Sequence, residues 1–113
     1  MIARSWHGAV PGHLAGAYGE FLRAVALPDY RATPGNRSVL ALRRNEGQVT
    51  HFQLLTLWDC LDAIRAFAGE DVERARYYPQ DPRYLLDMEP TVTHHEVVKT
   101  LTAGLVVGPP AAG

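Results

Sequence analysis

Five imidazoles and a set of large aromatic side chains are the residues of this chain that could do chemistry. His7, His13, His51, His94 and His95 could each serve as a base or a metal ligand near neutral pH. His7 lies two positions from Ser5 in the run Arg4-Ser5-Trp6-His7, so on a strand the two share a face, opposite Arg4 and Trp6. That sets a candidate general base beside a hydroxyl. His94 and His95 are adjacent, point to opposite faces of a strand, and so cannot chelate one ion together. No Asp/Glu/His spacing supplies the missing ligands, and no metal site is expected. Among the aromatics, Trp58 stands where a period-two run gives way to a helical repeat that contains Phe67, and Tyr77-Tyr78 follow further on. A phenol at a pocket mouth can hydrogen-bond a quinone or phenolic ligand, or act as a general acid. Cys60 falls at a helix start, where a thiol pKa can drop. With no base in sequence reach, it is expected to pack as a small hydrophobe.

The elements that must position these groups are legible in the spacing. Residues 2–10 are extended and end at Pro11-Gly12. Leu14, Ala17, Tyr18, Phe21, Leu22 and Val25 recur at helical intervals, predicting a helix over 13–27 that Pro28 ends. Pro34-Gly35-Asn36 marks a loop. Strands over 37–44 and 48–58 flank the turn Asn45-Glu46-Gly47, which makes a hairpin. Both strands are apolar on both faces, so a helix layer can cover one side and a second subunit the other. Asp59 is placed to cap the next helix, with Asp62 in its first turn and Leu61, Ile64, Phe67 and Ala68 inward. A second short helix is expected over 70–77, with Val72 and Ala75 inward, then a helical turn near 84–88 and a last strand over 91–100. The order β-α-β-β-α-β is the ferredoxin-like arrangement: an α+β domain with an antiparallel sheet and helices on one face. Residues 1–100 form that domain, and residues 101–113, ending Gly-Pro-Pro-Ala-Ala-Gly, form a tail expected to be mobile.

Composition narrows the function classes. The chain has 113 residues, a single domain's worth, and a net charge near -1 without a clustered basic face, which argues against nucleic acid. No apolar stretch approaches the ~20 residues of a membrane span. The N-terminus lacks a signal-peptide core, and one cysteine excludes an intramolecular disulfide, so a reducing cytoplasm is expected.

The segments Arg4-Ser5-Trp6-His7-Gly8, Pro34-Gly35-Asn36, Leu42-Arg43-Arg44 and Trp58-Asp59-Cys60-Leu61-Asp62-Ala63-Ile64 together resemble the antibiotic biosynthesis monooxygenase family, over about residues 2–98. The resemblance implies a dimeric α/β barrel, a homodimer whose two sheets face each other, with a ligand pocket between the sheet and helices of each subunit. Related anthrone oxygenases keep a tryptophan at the position of Trp58, with an amide side chain four residues before it and a phenol six after; here those positions are Leu54 and Ile64. Haem-degrading relatives carry a second tryptophan nine residues on and a histidine nineteen on; here they are Phe67 and Tyr77. The polar groups of both chemistries are replaced, and Trp58 is kept.

Aligning the break after the first strand with the family's aims Ser5 and His7 at the helices and pocket, together with Phe52, Leu54, Thr56 and Trp58. His51 and Gln53 then face the partner subunit as a satisfied polar pair. Trp58 is expected to line the pocket, its Nε1–H finding a carbonyl. The resulting expectation is a monooxygenase that needs no cofactor and acts on a small aromatic quinol- or polyketide-like molecule. His7 and Tyr78 would be its catalytic groups, with Ser5, Trp58, Phe67 and Tyr77 contacting substrate. A non-redox cyclase or ligand-binding dimer of the same fold is the alternative, and a dimer whose pocket is filled by its own side chains is a third possibility.

Overall fold

The computed structural model describes residues 1–101. Four strands, β1 (Ile2–Pro11), β2 (Asn36–Glu46), β3 (Val49–Trp58) and β4 (Thr93–Glu96), form one sheet in the order β2-β3-β1-β4. Every pairing is antiparallel. Helices α1 (Ala15–Phe21), α2 (Leu27–Ala32) and α3 (Leu61–Ala68) lie on one side of it. This is the expected α+β, ferredoxin-like arrangement. The β2–β3 hairpin turns at Gly47, whose φ of 59° suits a residue without a Cβ.

The first helical segment departs from its expected end. A π-helical turn, Leu22–Ala26, joins α1 to α2, and Pro28 sits inside the run instead of closing it. Proline lacks an N–H and crowds the carbonyl four residues back. The wider turn before it removes that conflict, so the helix continues to Ala32. Tyr18, Leu22, Ala26 and Tyr30, spaced by four, are its buried stripe.

Other local expectations are corrected as well. Asp59 does not cap α3; Cys60 holds the N-cap position without a side-chain cap bond, and the Asp59 carboxylate takes Arg37 Nε and Nη2 at 2.6 and 2.9 Å. Cys60 is exposed, not packed, and Leu61 is exposed as well, leaving Ile64 and Phe67 as the buried face of α3. Residues 70–77 form no helix. They belong to an irregular strap, residues 69–92, that crosses the helix side of the molecule. Ala75 N–H donates to the Pro90 carbonyl at 2.9 Å, and Val92 N–H to the Glu73 carbonyl at 2.8 Å. The ordered turn expected near 84–88 is a 3-10 turn at Asp81–Arg83, and the last strand is shortened to β4. The expectation for the tail falls, apart from Leu101, outside the described residues.

Candidate functional site

The register of β1 against β3 decides which side chains meet. Trp6 pairs with Leu54 and Arg4 with Thr56, while His7 pairs with Gln53 and Ser5 with Leu55. Directly paired residues share a face. Arg4, Trp6, Gly8 and Val10 therefore face the helices beside Phe52, Leu54, Thr56 and Trp58, and all eight are buried. Ser5 and His7 lie on the opposite, open face with His51 and Gln53. This corrects the expected facing of β1. Gly8 contributes to it: a Cβ there would stand 2.4 Å from the Trp6 ring, so the indole lies flat across the glycine.

Beneath Trp58 the structure gathers an aromatic cage. Trp58 is fully buried; its ring centroid lies 5.5 Å from Phe67 and 6.3 Å from Tyr30, and Tyr30 stacks on Phe67 at 4.3 Å. Trp58 Nε1–H donates to Thr56 Oγ1 at 2.8 Å instead of to a carbonyl, and the Thr56 hydroxyl donates to the Arg4 carbonyl. Two guanidinium groups approach the Phe67 ring: Arg76 at 4.4 Å from its centroid and Arg4 at 5.9 Å. Burial pushes the Tyr30 phenol up to about 12, so it stays a neutral hydrogen-bonding group.

The strap closes this cage. Asp29 Oδ2 on α2 accepts from Arg76 and from the Tyr78 hydroxyl, both at 2.6 Å. Asp81, itself buried, accepts from Tyr18 Oη at 2.9 Å and from the Tyr78 amide at 2.6 Å. Burial first, then its bond to Asp29, raises the Tyr78 pKa well above the usual phenol range. Tyr77 turns away from the cage, its ring edge-on to Trp6 at 6.2 Å and its hydroxyl donating to the Glu89 carbonyl. Trp58 and Phe67 are thus in the cage, Tyr78 guards it, Tyr77 packs beside it, and Ser5 and His7 are outside it.

The space left between sheet and strap is small. A cavity of about 10 Å³, lined by Trp6, Leu54, Tyr30, Arg76, Tyr78 and Asp81 among others, has room for about one water. A wider recess of about 170 Å³ opens further along, between Gly19, Leu22 and Leu27 of the helical run and Ala41 and Phe52 of the sheet.

The open face carries a different constellation, one that sequence reasoning split between two faces. His7 Nδ1 lies 2.7 Å from Glu89 Oε1, His7 Nε2 lies 2.9 Å from His51 Nδ1, and His51 Nε2 lies 3.1 Å from Glu46 Oε1. The two imidazoles stack at 5.1 Å. Each of these three contacts needs one proton, whereas two neutral imidazoles carry two in all. The chain of contacts is complete when the pair shares one extra proton. Alongside it, Gln53 Nε2 donates to Ser5 Oγ at 2.9 Å. Leu40 and Leu42 of β2 are 43% and 40% exposed on this face, next to Leu55. Among the described residues no three His, Cys, Asp or Glu side chains are grouped to hold a metal ion.

The fold defined by this sheet and helix layer is ferredoxin-like. The solved structures matching it include a mutant of MhuD with two manganese protoporphyrin IX molecules per active site. It has a TM-score of 0.58 and 18% identity, and the match covers 91% of this chain and 100% of that one. No protein-family model matches the chain, and no curated protein matches it by sequence. The residues beneath Trp58 do not fit a porphyrin. Tyr77, at the position where the haem-degrading pattern places a histidine, is committed to Trp6 and Glu89. The adjoining cavity has room for about one water.

Proposed function

We propose that this chain is a homodimeric, monooxygenase-type protein that takes a small aromatic molecule of the quinol or polyketide kind between its sheet and its helices, without a bound cofactor. The observation that carries the reading is the cage of Trp58, Tyr30 and Phe67, whose rings contact one another at 4.3–6.3 Å. A flat guest can exchange these ring contacts for its own, and mostly apolar pockets with a few polar groups are the usual small-molecule sites. Entry requires the strap to part from α2, breaking the Asp29 contacts with Arg76 and Tyr78.

An enolisable aromatic supplies its own electrons. A ring-flanked CH₂ loses a proton to give an enolate, the enolate carbon adds O₂ to form a peroxide, and loss of water leaves a carbonyl, so CH₂ and O₂ become C=O and H₂O. The protein's part is orientation and exclusion of water. Tyr78, kept protonated by burial and Asp29, suits the general acid that protonates the departing hydroxide. His7 lies across the sheet from Trp58 and does not reach a guest in the cage. We place it in the dimer contact on the open face, where Leu40 and Leu42 call for cover.

An oxygen electrode with a panel of anthrones and quinols tests the reading. Uptake above the blank is expected, with one labelled oxygen in the product under ¹⁸O₂. If no substrate gives uptake but one is converted to a product lighter by a single water, the protein is a cyclase instead.

A further inference from the structure

Arg4 is the one arginine on the buried face of β1, and it is 1% exposed. Its Nη2 donates to the Arg74 carbonyl at 2.9 Å; its Nε is buried and has no partner among the described residues. The ion pairs among the described residues join His7 and Glu89, Arg23 and Glu20, Arg37 and Asp59, Arg44 and Glu46, His51 and Glu46, Arg65 and Asp62, and Arg76 and Asp29. Arg4 is in none of them. A buried cation without an anion is costly, and such charges are normally paired. Burial lowers the Arg4 pKa and Arg76 nearby adds to that, with Tyr30 opposing, yet an arginine stays charged in a protein.

One further atom on the same side is unsatisfied among the described residues. His94, the β4 partner of Arg4, has a buried Nε2 without a partner. Trp6 Nε1–H, by contrast, is turned to the Tyr77 hydroxyl, which is held away from the cage. Burial holds the His94 pKa down, and Arg4 contributes to that, so His94 offers a hydrogen bond and no competing charge. Asp29 and Asp81, the carboxylates beside Tyr30, are already engaged by Arg76, Tyr78 and Tyr18, and Glu73, near His94, forms no ion pair with Arg4.

Resting on the proposed aromatic-ligand site, we propose that its ligand is an aromatic anion, a carboxylate or an enolate, whose charge is taken by Arg4 with His94 beside it. A guanidinium in a dry cage matches a carboxylate's paired oxygens and stabilises an enolate as it forms. A guest that arrives already ionised needs no base in the cage.

The test compares 2-naphthoate with the neutral, nearly isosteric 2-naphthamide at pH 7, by calorimetry on the full chain. Wild type is expected to bind the acid at least about tenfold more tightly, the size of one charge-assisted hydrogen bond. Arg4→Gln is expected to bring the acid down to the affinity of the amide. Equal affinities in the wild type overturn the assignment. So does a preference that survives Arg4→Gln, or one lost in Arg76→Gln alone; binding of the amide would still leave the aromatic site standing. Binding of neither probe removes both readings. If Arg4→Gln does not fold, Arg4→Lys, which keeps the charge but loses the fork, should reduce the preference without abolishing it. An unchanged preference there also overturns the assignment.

Discussion

The two faces of one sheet differ in kind. The helix side is buried and aromatic and holds Arg4, which has no ion-pair partner among the described residues; the open side is polar at one end and leucine-lined at the other, and its histidines find carboxylates close by. Strand β1 supplies both, alternating Arg4, Trp6 and Val10 inward with Ser5 and His7 outward. The difference teaches that titratable groups crowded together do not by themselves mark the ligand site. On the open face each ring nitrogen of His7 and His51 has a partner, so the network suits an interface. On the helix face Arg4 Nε has no partner among the described residues, which suits a site for an anionic guest.

The comparison can be broken most forcefully by truncation. Trp58→Ala or Phe67→Ala should lose about 3–5 kcal/mol in denaturant unfolding. Leu42→Ala on the open face should lose about 1 kcal/mol or less of intrachain stability, because it is already 40% exposed. Equal losses would mean that the two faces are equally packed. Next in size, the pair Leu40→Glu and Leu42→Glu should cost about 2–4 kcal/mol of association and turn a species of twice the chain mass into a monomer in light scattering. A chain that is monomeric before substitution would remove the assigned role of the open face. Gly8→Ala should cost about 1–3 kcal/mol, since its Cβ would press on the Trp6 ring and on Leu85.

A smaller effect is expected from pH. The folded-state pKa of His94 lies below its ordinary value, with burial the main cause, so the unfolded chain binds more protons there. Its contribution to stability is present above the unfolded value of about 6.5 and is lost as the pH falls through and below that value. Unfolding midpoints followed from pH 7.5 to 5 should therefore decline less steeply in His94→Gln. The smallest effect is expected at His7→Gln: about 1 kcal/mol or less in stability, as for other partly exposed pairs, and unchanged affinity for 2-naphthol. Weakened naphthol binding there would join the two faces functionally.

The hairpin, the helix that leads to it and the strand-to-helix joint at Trp58 are legible in the sequence because their apolar spacing is regular and Gly47 marks the turn. The face of β1 is not. Its buried side includes an arginine and a glycine, Arg4 and Gly8, and these disguise the alternation that sets register and facing. The strap also escapes local reading. Val72 and Ala75 have helical spacing, but the backbone there is held by Pro90 and Thr91, contacts that no short window contains. The aromatic cage is half visible: Trp58 and Phe67 can be named from the chain, whereas Tyr30 enters because the π-turn carries the helix past Pro28. A signal for Arg4 was available in its two-residue spacing from Trp6, once the facing of Trp6 is known.

The most direct test of the division between the faces is an NMR titration with 2-naphthol that follows methyl and indole resonances. The account predicts shifts at the Trp6 and Trp58 indoles and the methyls of Leu54 and Ile64, with the open-face methyls of Leu40, Leu42 and Leu55 unmoved. Shifts confined to Leu40, Leu42 and Leu55 would place the ligand on the open face and contradict it.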